Sequence, residues 1–413
     1  MKKKLCEICG NYASLAVLAL IGVPIGAAVG VLDTLLGGGI AAATALRERC
    51  SVFFLACLPL AGLLLVYVFR RFGGAASRGM SLVFDVANGR EEKIPLRMIP
   101  MMLGATWLVH LFGGSAGKEG VAMQLGATLS NWAGRRLPIC RDRTIFLLTG
   151  MAAGFGGLFG TPVAGAFFAM ELIAAGRLQY QAVIPACTAS FSAFLVSGAL
   201  GLSKFQFAVA APPLTAVMIA KAVLLGVLFG MAGELFAYLL GFARRYAAAR
   251  IENPYARIAL LGGIVSVCFL FFTGQRYAGA GTALIEASFT GGTVYGYDWL
   301  LKIIFTVLTV AAGFFGGEVT PLCAIGASCG AALGPVFGLP ADFAAGLGLA
   351  AVFGSGTNTL LAPIFLGAAL CGYENLPFFM IACTVAYAFN RNHTIYPWQR
   401  REEAPLVLRG MGR

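Results

Sequence analysis

The chain reads as long apolar runs separated by short polar turns. Runs at 13–37 and 52–69 are each long enough to cross the roughly 30 Å of a bilayer's hydrocarbon core, and another follows at 98–112. The stretch between them, 73–89 (GGAASRGMSLVFDVANG), is too short and too interrupted to cross, which predicts a half-helix. The run 147–173 is broken at Gly160-Thr161-Pro162. Pro162 cannot continue the helical ladder, so two helical pieces are predicted there. The second half repeats the plan with runs near 183–200, 214–241, 258–273, 300–315, 341–372 and 377–389. Lys221 and Glu234 mark the two ends of one run and Lys302 follows Trp299 at the start of another, so all three are expected to snorkel to an interface.

Sliding the halves against each other exposes an internal repeat. Phe112-Gly113-Gly114 aligns with Phe315-Gly316-Gly317, residues 152–156 align with 350–354, Gly160-Thr161-Pro162 falls on Asn358-Thr359-Leu360, and 73–81 lies over 278–284. The expected organisation is an all-α polytopic membrane protein of two transmembrane repeats, 13–205 and 206–399. They are flanked by an N-terminal segment, 1–12, and a tail, 400–413. Paired interrupted segments in two halves point to a site at their interface, near the bilayer midplane.

Composition agrees with the pattern. Hydrophobic residues make up 59% of the chain and charged ones 12%, which excludes a soluble domain of useful size. The 55 glycines sit inside apolar runs, where they suit close helix packing. A net charge of +12 raises the question of nucleic acid. The basic residues instead fall in small clusters at run ends (2–4, 70–71, 135–136, 244–245, 400–401) and read as topology signals, with both termini cytoplasmic and an even number of crossings. The basic start followed by apolar residues reads as a retained first helix, since the run continues without a clear cleavage site. Eleven cysteines lie mostly isolated in apolar segments and imply no disulfide framework; Cys6 and Cys9 form a CxxC with no second Cys/His pair beside it. Neither metal nor cofactor is expected. The sequon at Asn392 abuts the basic C-terminal end and reads as a chance match.

The candidate chemistry lies in 113–126, GGSAGKEGVAMQLG, which sets Lys118 and Glu119 between two apolar runs. Gly117 and Gly120 flank them, where a helix can break, present N–H groups and let an anion approach the main chain. The other reading is a loop at the membrane surface with solvated charges.

These motifs resemble the CLC family of anion channels and proton-coupled antiporters, from about residue 15 to 399. GKEGV (117–121) is similar to the family's G(K/R)EGP motif, GGEVTP (316–321) to its GGxFxP motif, and Tyr396 in HTIYPWQ falls on the family's pore-lining Tyr. FGTPVAGAFFAMEL and the NTLLAP segment resemble two further blocks. Common chloride members carry GSGIP, with a Ser that touches the central ion, where this chain has RGMSLVF and therefore Met80. Met80 and GGEVTP resemble the bacterial fluoride/proton antiporter branch. Val121, Leu360 and Ala368-Ala369 depart from the usual pattern.

The resemblance implies a CLC-type fold of two inverted repeats with broken and half-spanning helices, working as a homodimer with one pathway per subunit in the bacterial inner membrane. It implies fluoride and protons as substrates, Glu119 and Glu318 as gating and proton-transfer groups, and an anion site built from Met80, Gly117, Lys118, Gly120, Val319, Thr320 and Tyr396. A helix cap is the other reading for Glu318, gap-filling packing for Met80, and an interfacial belt for Tyr396. Phe84 reads first as packing, and Glu171 stays open between structure and function. Rival functions are a passive anion channel, a chloride antiporter and an intramembrane hydrolase. The hydrolase lacks a motif, because His110 and His393 are the only histidines and neither lies near a nucleophile elbow.

Overall fold

A computed structural model describes the backbone of residues 2–137 and 143–400, with side chains from residue 15 onward. The CxxC, the basic N-terminal cluster, most of the 135–143 loop and the tail beyond residue 400 therefore lie outside the described side chains. The first half holds α1 (Lys2–Arg49), α2 (Ser51–Ala56), α3 (Leu58–Val68), α4 (Met80–Ala87), α5 (Met98–Leu111), α6 (Glu119–Arg136), α7 (Arg143–Phe159), α8 (Pro162–Leu172) and α9 (Val183–Ala199). The second holds α10 (Ala216–Arg250), α11 (Pro254–Cys268), α12 (Thr282–Phe289), α13 (Asp298–Ala312), α14 (Val319–Leu333), α15 (Ala341–Thr357), α16 (Leu361–Cys371) and α17 (Leu376–Ala388).

The two series match in their irregularities as well as their order. α3 and α11 each run on into a π turn, Phe69–Gly73 and Phe269–Thr273, and each turn is followed by a glycine at positive φ, Gly74 at 50° and Gly274 at 59°. Gly113 at φ 82° and Gly313 at 107° follow α5 and α13. The breaks between α7 and α8 and between α15 and α16 are made by Gly160 at 79° and Asn358 at 55°. This corrects the expected register in two places. Gly74 corresponds to Gly274, so residue 73 lies over 273 and not over 278. Gly113 corresponds to Gly313 and Gly117 to Gly317, three residues away from the pairing of Gly113-Gly114 with Gly316-Gly317. A glycine pair recurs easily in so glycine-rich a chain; backbone conformation and hydrogen bonding decide which copies are equivalent.

Among the described residues, six helical stretches can cross a membrane by length and composition: Leu15–Arg49, Leu58–Ala87, Tyr180–Ala199, Ala216–Arg250, Pro254–Thr273 and Val319–Phe337. Four shorter apolar helices, α5, α7, α8 and α16, accompany them. The last of the six stretches is the most interior, with 78% of its window buried, whereas the other five are 28–39% buried and turn apolar faces outward. Phe271 and Phe272, 75% and 78% exposed, belong to such an outward apolar face. The half-helix expected over 73–89 is realised only in α4; its first part continues α3 through the π turn and a short 3₁₀ segment, Gly74–Arg78.

Small residues bring the inner helices together. A Cβ on Gly126 of α6 would collide with the carbonyl of Gly150 on α7, and one on Gly326 of α14 would collide with that of Gly348 on α15. Backbones this close gain dispersion contacts that lipid cannot supply. The same packing, placed twice, holds α6 and α14 so that their N-termini meet inside the protein.

Candidate functional site

The meeting point is a reciprocal pair: the Gly117 N–H donates to Gly317 O at 2.6 Å, and the Gly317 N–H donates to Gly117 O at 2.8 Å. Neither residue could carry a side chain. A Cβ on Gly117 would lie 2.8 Å from Pro321 Cδ and 3.0 Å from Thr320 Oγ1, and one on Gly317 would lie 2.8 Å from the Gly120 nitrogen. The Gly117 N–H is committed to Gly317, so the anion donors expected after Gly117 and Gly317 start with the residues that follow them. The contribution of Gly117 is to let the two N-termini approach.

Immediately after the pair, α6 opens with Glu119 and α14 opens with Val319 and Thr320, all fully buried. The Glu119 carboxylate reaches across to the N-terminus of α14. Its Oε2 accepts the Thr320 N–H at 3.2 Å, the Thr320 hydroxyl in a short hydrogen bond, and the Lys118 N–H at 3.2 Å. Its Oε1 has no hydrogen-bond partner among the described residues. A helix N-terminus supplies unpaired N–H groups and a partial positive charge, so a carboxylate oxygen on these donors occupies the place a small anion would take.

The two neighbours of Glu119 in sequence line different cavities. One, of about 170 Å³, is lined by Met80, Gly120, Val121, Gln124, Arg244, Glu318 and Tyr396, among others. The other, of about 360 Å³, is lined by Arg47, Glu48, His110, Lys118, Arg276 and the segment 278–284. Lys118 faces one cavity and Gly120 the other, while Glu119 between them lines neither. The Lys118 side chain therefore does not join Met80 and Tyr396, and it is the Lys118 backbone N–H that bonds the Glu119 carboxylate.

In the smaller cavity, Tyr396 is 2% exposed and its hydroxyl has no partner among the described residues. A buried hydroxyl left without a partner costs about 1–3 kcal/mol, and this one borders a cavity where an anion could accept from it. Met80 is half-buried at the start of α4 and presents a thioether there. Glu318 stands at the N-cap position of α14 yet makes no side-chain cap hydrogen bond; its carboxylate pairs with the Arg244 guanidinium in a short contact. Glu318 thus makes no capping hydrogen bond, although it stands at the positive end of α14. The pairing gives Arg244 a partner in the interior beyond its expected role as a topology signal. Phe84, fully buried, lines neither cavity and packs its ring 5.8 Å from that of Tyr396.

Lys302 departs most from expectation. It is fully buried, and its Nζ donates to Ser115 Oγ at 2.9 Å, Tyr277 O at 3.0 Å and Gly279 O at 2.8 Å. Ser115 in turn bonds Thr306 Oγ1 at 2.9 Å, and its N–H donates to Thr309 Oγ1 at 3.2 Å. The residue ties the loop ahead of Glu119 to the segment ahead of α12. A lysine near a helix start reads equally well as a snorkelling one, because the acceptors that hold it inside are 23, 25 and 187 residues away. Asp33 went unremarked: it is fully buried in α1, and neither carboxylate oxygen has a hydrogen-bond partner among the described residues. A lone acid within an apolar run was the available signal. Glu171 resolves as structural, its two oxygens accepting from the N–H groups of Leu360, Leu361 and Ala362 where α16 begins.

Comparison with known proteins fits this geometry. Residues 61–391 match the family described as Voltage gated chloride channel. A "Chloride/fluoride channel protein" of Pseudomonas syringae pv. tomato is 36% identical over 356 residues, covering 83% of this chain and 77% of its own. The crystal structure of a CLC-type fluoride/proton antiporter superposes with a TM-score of 0.92 at 44% identity, covering 94% of this chain and 98% of its own. A slow cyanobacterial Cl⁻/H⁺ antiporter shares the fold at a TM-score of 0.75 and 18% identity, over 91% and 94% of the two chains.

Proposed function

Since the chain belongs to the voltage-gated chloride channel (CLC) family, whose members move ions and are not enzymes, we propose that it is a proton-coupled fluoride antiporter. The observation that carries this is the Glu119 carboxylate seated on the Thr320 N–H and hydroxyl. An anionic side chain on anion donors competes with the transported anion. Protonated, it loses its hold on those donors, leaves the site and takes its proton with it. One group thereby makes anion movement and proton movement mutually dependent.

Fluoride is small and strongly hydrated, so its site must replace water with donors already in place. The α14 N-terminus, Thr320 Oγ1 and the Tyr396 hydroxyl are such donors. The 44% identity to a fluoride/proton antiporter of the same fold supports fluoride as the anion. In this reading Met80 withholds the hydroxyl that chloride members use, while Glu318 relays protons beside Arg244. Gly117 and Gly120 admit close approach. Lys118 N–H and Val319 complete the main-chain wall. The protein would expel fluoride in exchange for entering protons, as a homodimer in the inner membrane with both termini cytoplasmic. The division into 13–205 and 206–399 gives each half one copy of the helix series.

The experiment is efflux from proteoliposomes holding fluoride or chloride, with internal pH recorded. Fluoride efflux that draws protons inward against a gradient supports the proposal; anion efflux with no proton movement sinks it. A passive channel is the second reading, favoured by the description of the Pseudomonas relative as a channel, and the same recording separates the two.

A further inference from the structure

We propose that the larger cavity is a second anion site, in which a small anion binds together with one proton carried by His110. It rests on the transport reading above only for the identity of the anion.

His110 is 1% exposed and lines this cavity. Its Nδ1 lies 2.8 Å from Thr106 O. A carbonyl oxygen can only accept, so Nδ1 carries the hydrogen and the neutral ring holds its lone pair at Nε2. That Nε2 is buried and has no partner among the described residues. Two states follow. Neutral, the ring keeps a lone pair at its buried Nε2. Protonated, it shows a charged N–H donor.

The surroundings decide when the second state is tolerated. From α1 come Arg47 and Glu48, from the loop ahead of α6 comes Lys118, and from the segment ahead of α12 comes Arg276. Behind that segment, α13 contributes Lys302. Most of this charge is tied down. The Arg47 Nη1 donates to His110 O at 2.6 Å and its Nε to Gln275 Oε1 at 3.1 Å. The Arg276 Nε donates to Asp298 Oδ1 at 2.9 Å, and the Lys302 ammonium has three acceptors. These groups set a positive potential while leaving few donors for a ligand. An imidazolium added to them alone would be repelled by the cations. An anion alone would face the Nε2 lone pair. Together they cancel, the proton entering at Nε2 and the anion accepting from the new N–H, with Lys118 as its second cation.

The backbone leaves room at this point. Gly279, at φ 64°, faces the ring, and a Cβ there would lie 3.9 Å from His110 Cδ2 and 3.4 Å from Arg47 Nη1. A site that loads an anion and a proton as a pair sits one residue from Glu119, on the side Lys118 faces. In the exchange proposed above, a departing anion and an incoming proton would meet there.

The test uses the full chain in the Glu119→Gln background, where the gate cannot titrate. Fluoride and chloride are titrated separately by calorimetry, in two buffers of different ionisation heat, between pH 5.5 and 8. We expect uptake approaching one proton per anion, and an affinity that falls by about tenfold per pH unit above the histidine's titration. Adding His110→Gln should abolish the uptake and flatten the pH dependence. Adding Lys118→Met should weaken affinity while keeping the uptake. Unchanged proton uptake in a folded His110→Gln protein overturns the proposal. So does binding that neither change affects. If that variant does not fold, ¹⁵N-histidine spectra of the folded background protein decide, because the chain has two histidines and His393→Asn assigns them. His110 Nε2 must move from its unprotonated to its protonated resonance when fluoride is added at constant pH, and a resonance that stays put overturns the site. Proton-linked binding of chloride but not fluoride would uphold the site and remove fluoride from the functional proposal.

Discussion

Thr320 donates its backbone N–H to Glu119 Oε2 at 3.2 Å across 201 residues of sequence. The donor belongs to the first turn of one half's inner helix and the acceptor to the first turn of the other's, so each half supplies what the other needs.

Changing Glu119 to Gln should end proton coupling, because an amide neither competes as an anion nor carries a proton. Fluoride efflux from liposomes should then leave internal pH unmoved. Sustained proton pumping by the purified variant would contradict the assignment.

Thr320→Val removes the hydroxyl and keeps the N–H and the shape. Hydrogen bonds to charged partners contribute about 1.5–3 kcal/mol, so fluoride affinity should weaken by at least roughly tenfold at about 1.4 kcal/mol per decade. Equilibrium binding on the Glu119→Gln background reads this directly. An affinity within twofold of the parent would mean that the anion does not use the hydroxyl.

Glu318→Gln tests the relay. The side chain makes no cap bond, so α14 should form as before and the protein should purify at normal yield. Transport should nonetheless fail, since Arg244 is left beside a group that cannot accept a proton. Coupled transport at the parental rate would show that Glu318 serves only to neutralise Arg244.

Selectivity is expected to follow Met80. A thioether offers no donor, whereas Met80→Ser would add a hydroxyl to the cavity that holds Tyr396. The ratio of fluoride to chloride efflux should narrow because chloride gains a partner. A ratio that does not move in the folded variant would make Met80 a packing residue.

Lys302→Met should cost stability rather than selectivity. It leaves the carbonyls of Tyr277 and Gly279 without their shared donor, while Ser115 Oγ keeps Thr306, and each unsatisfied buried carbonyl costs about 1–3 kcal/mol. A thermal melt in detergent should show a lowered midpoint. No change would place the lysine outside the scaffold that holds the gate loop.

The sequence by itself determined the solvent in which this protein folds, the order of its helices and most of their breaks. Those depend on local physics: an apolar run must find lipid or other helices, and Pro162 must end a ladder wherever it sits. GKEGV was legible as a candidate site because the residues that break a helix and expose its N-terminus are consecutive, whereas GGEVTP was legible through its resemblance to a family motif. Tertiary structure alone decided which groups answer one another across the halves. The register of the repeat turned on a Gly117 to Gly317 hydrogen-bond pair. The Arg244 partner of Glu318, the acceptors around Lys302 and the bare Nε2 of His110 all depend on atoms tens to hundreds of residues away. A charged side chain in an apolar run announces that it needs a partner, but only the packed fold brings that partner within 3 Å, to the inside of the protein or to its surface.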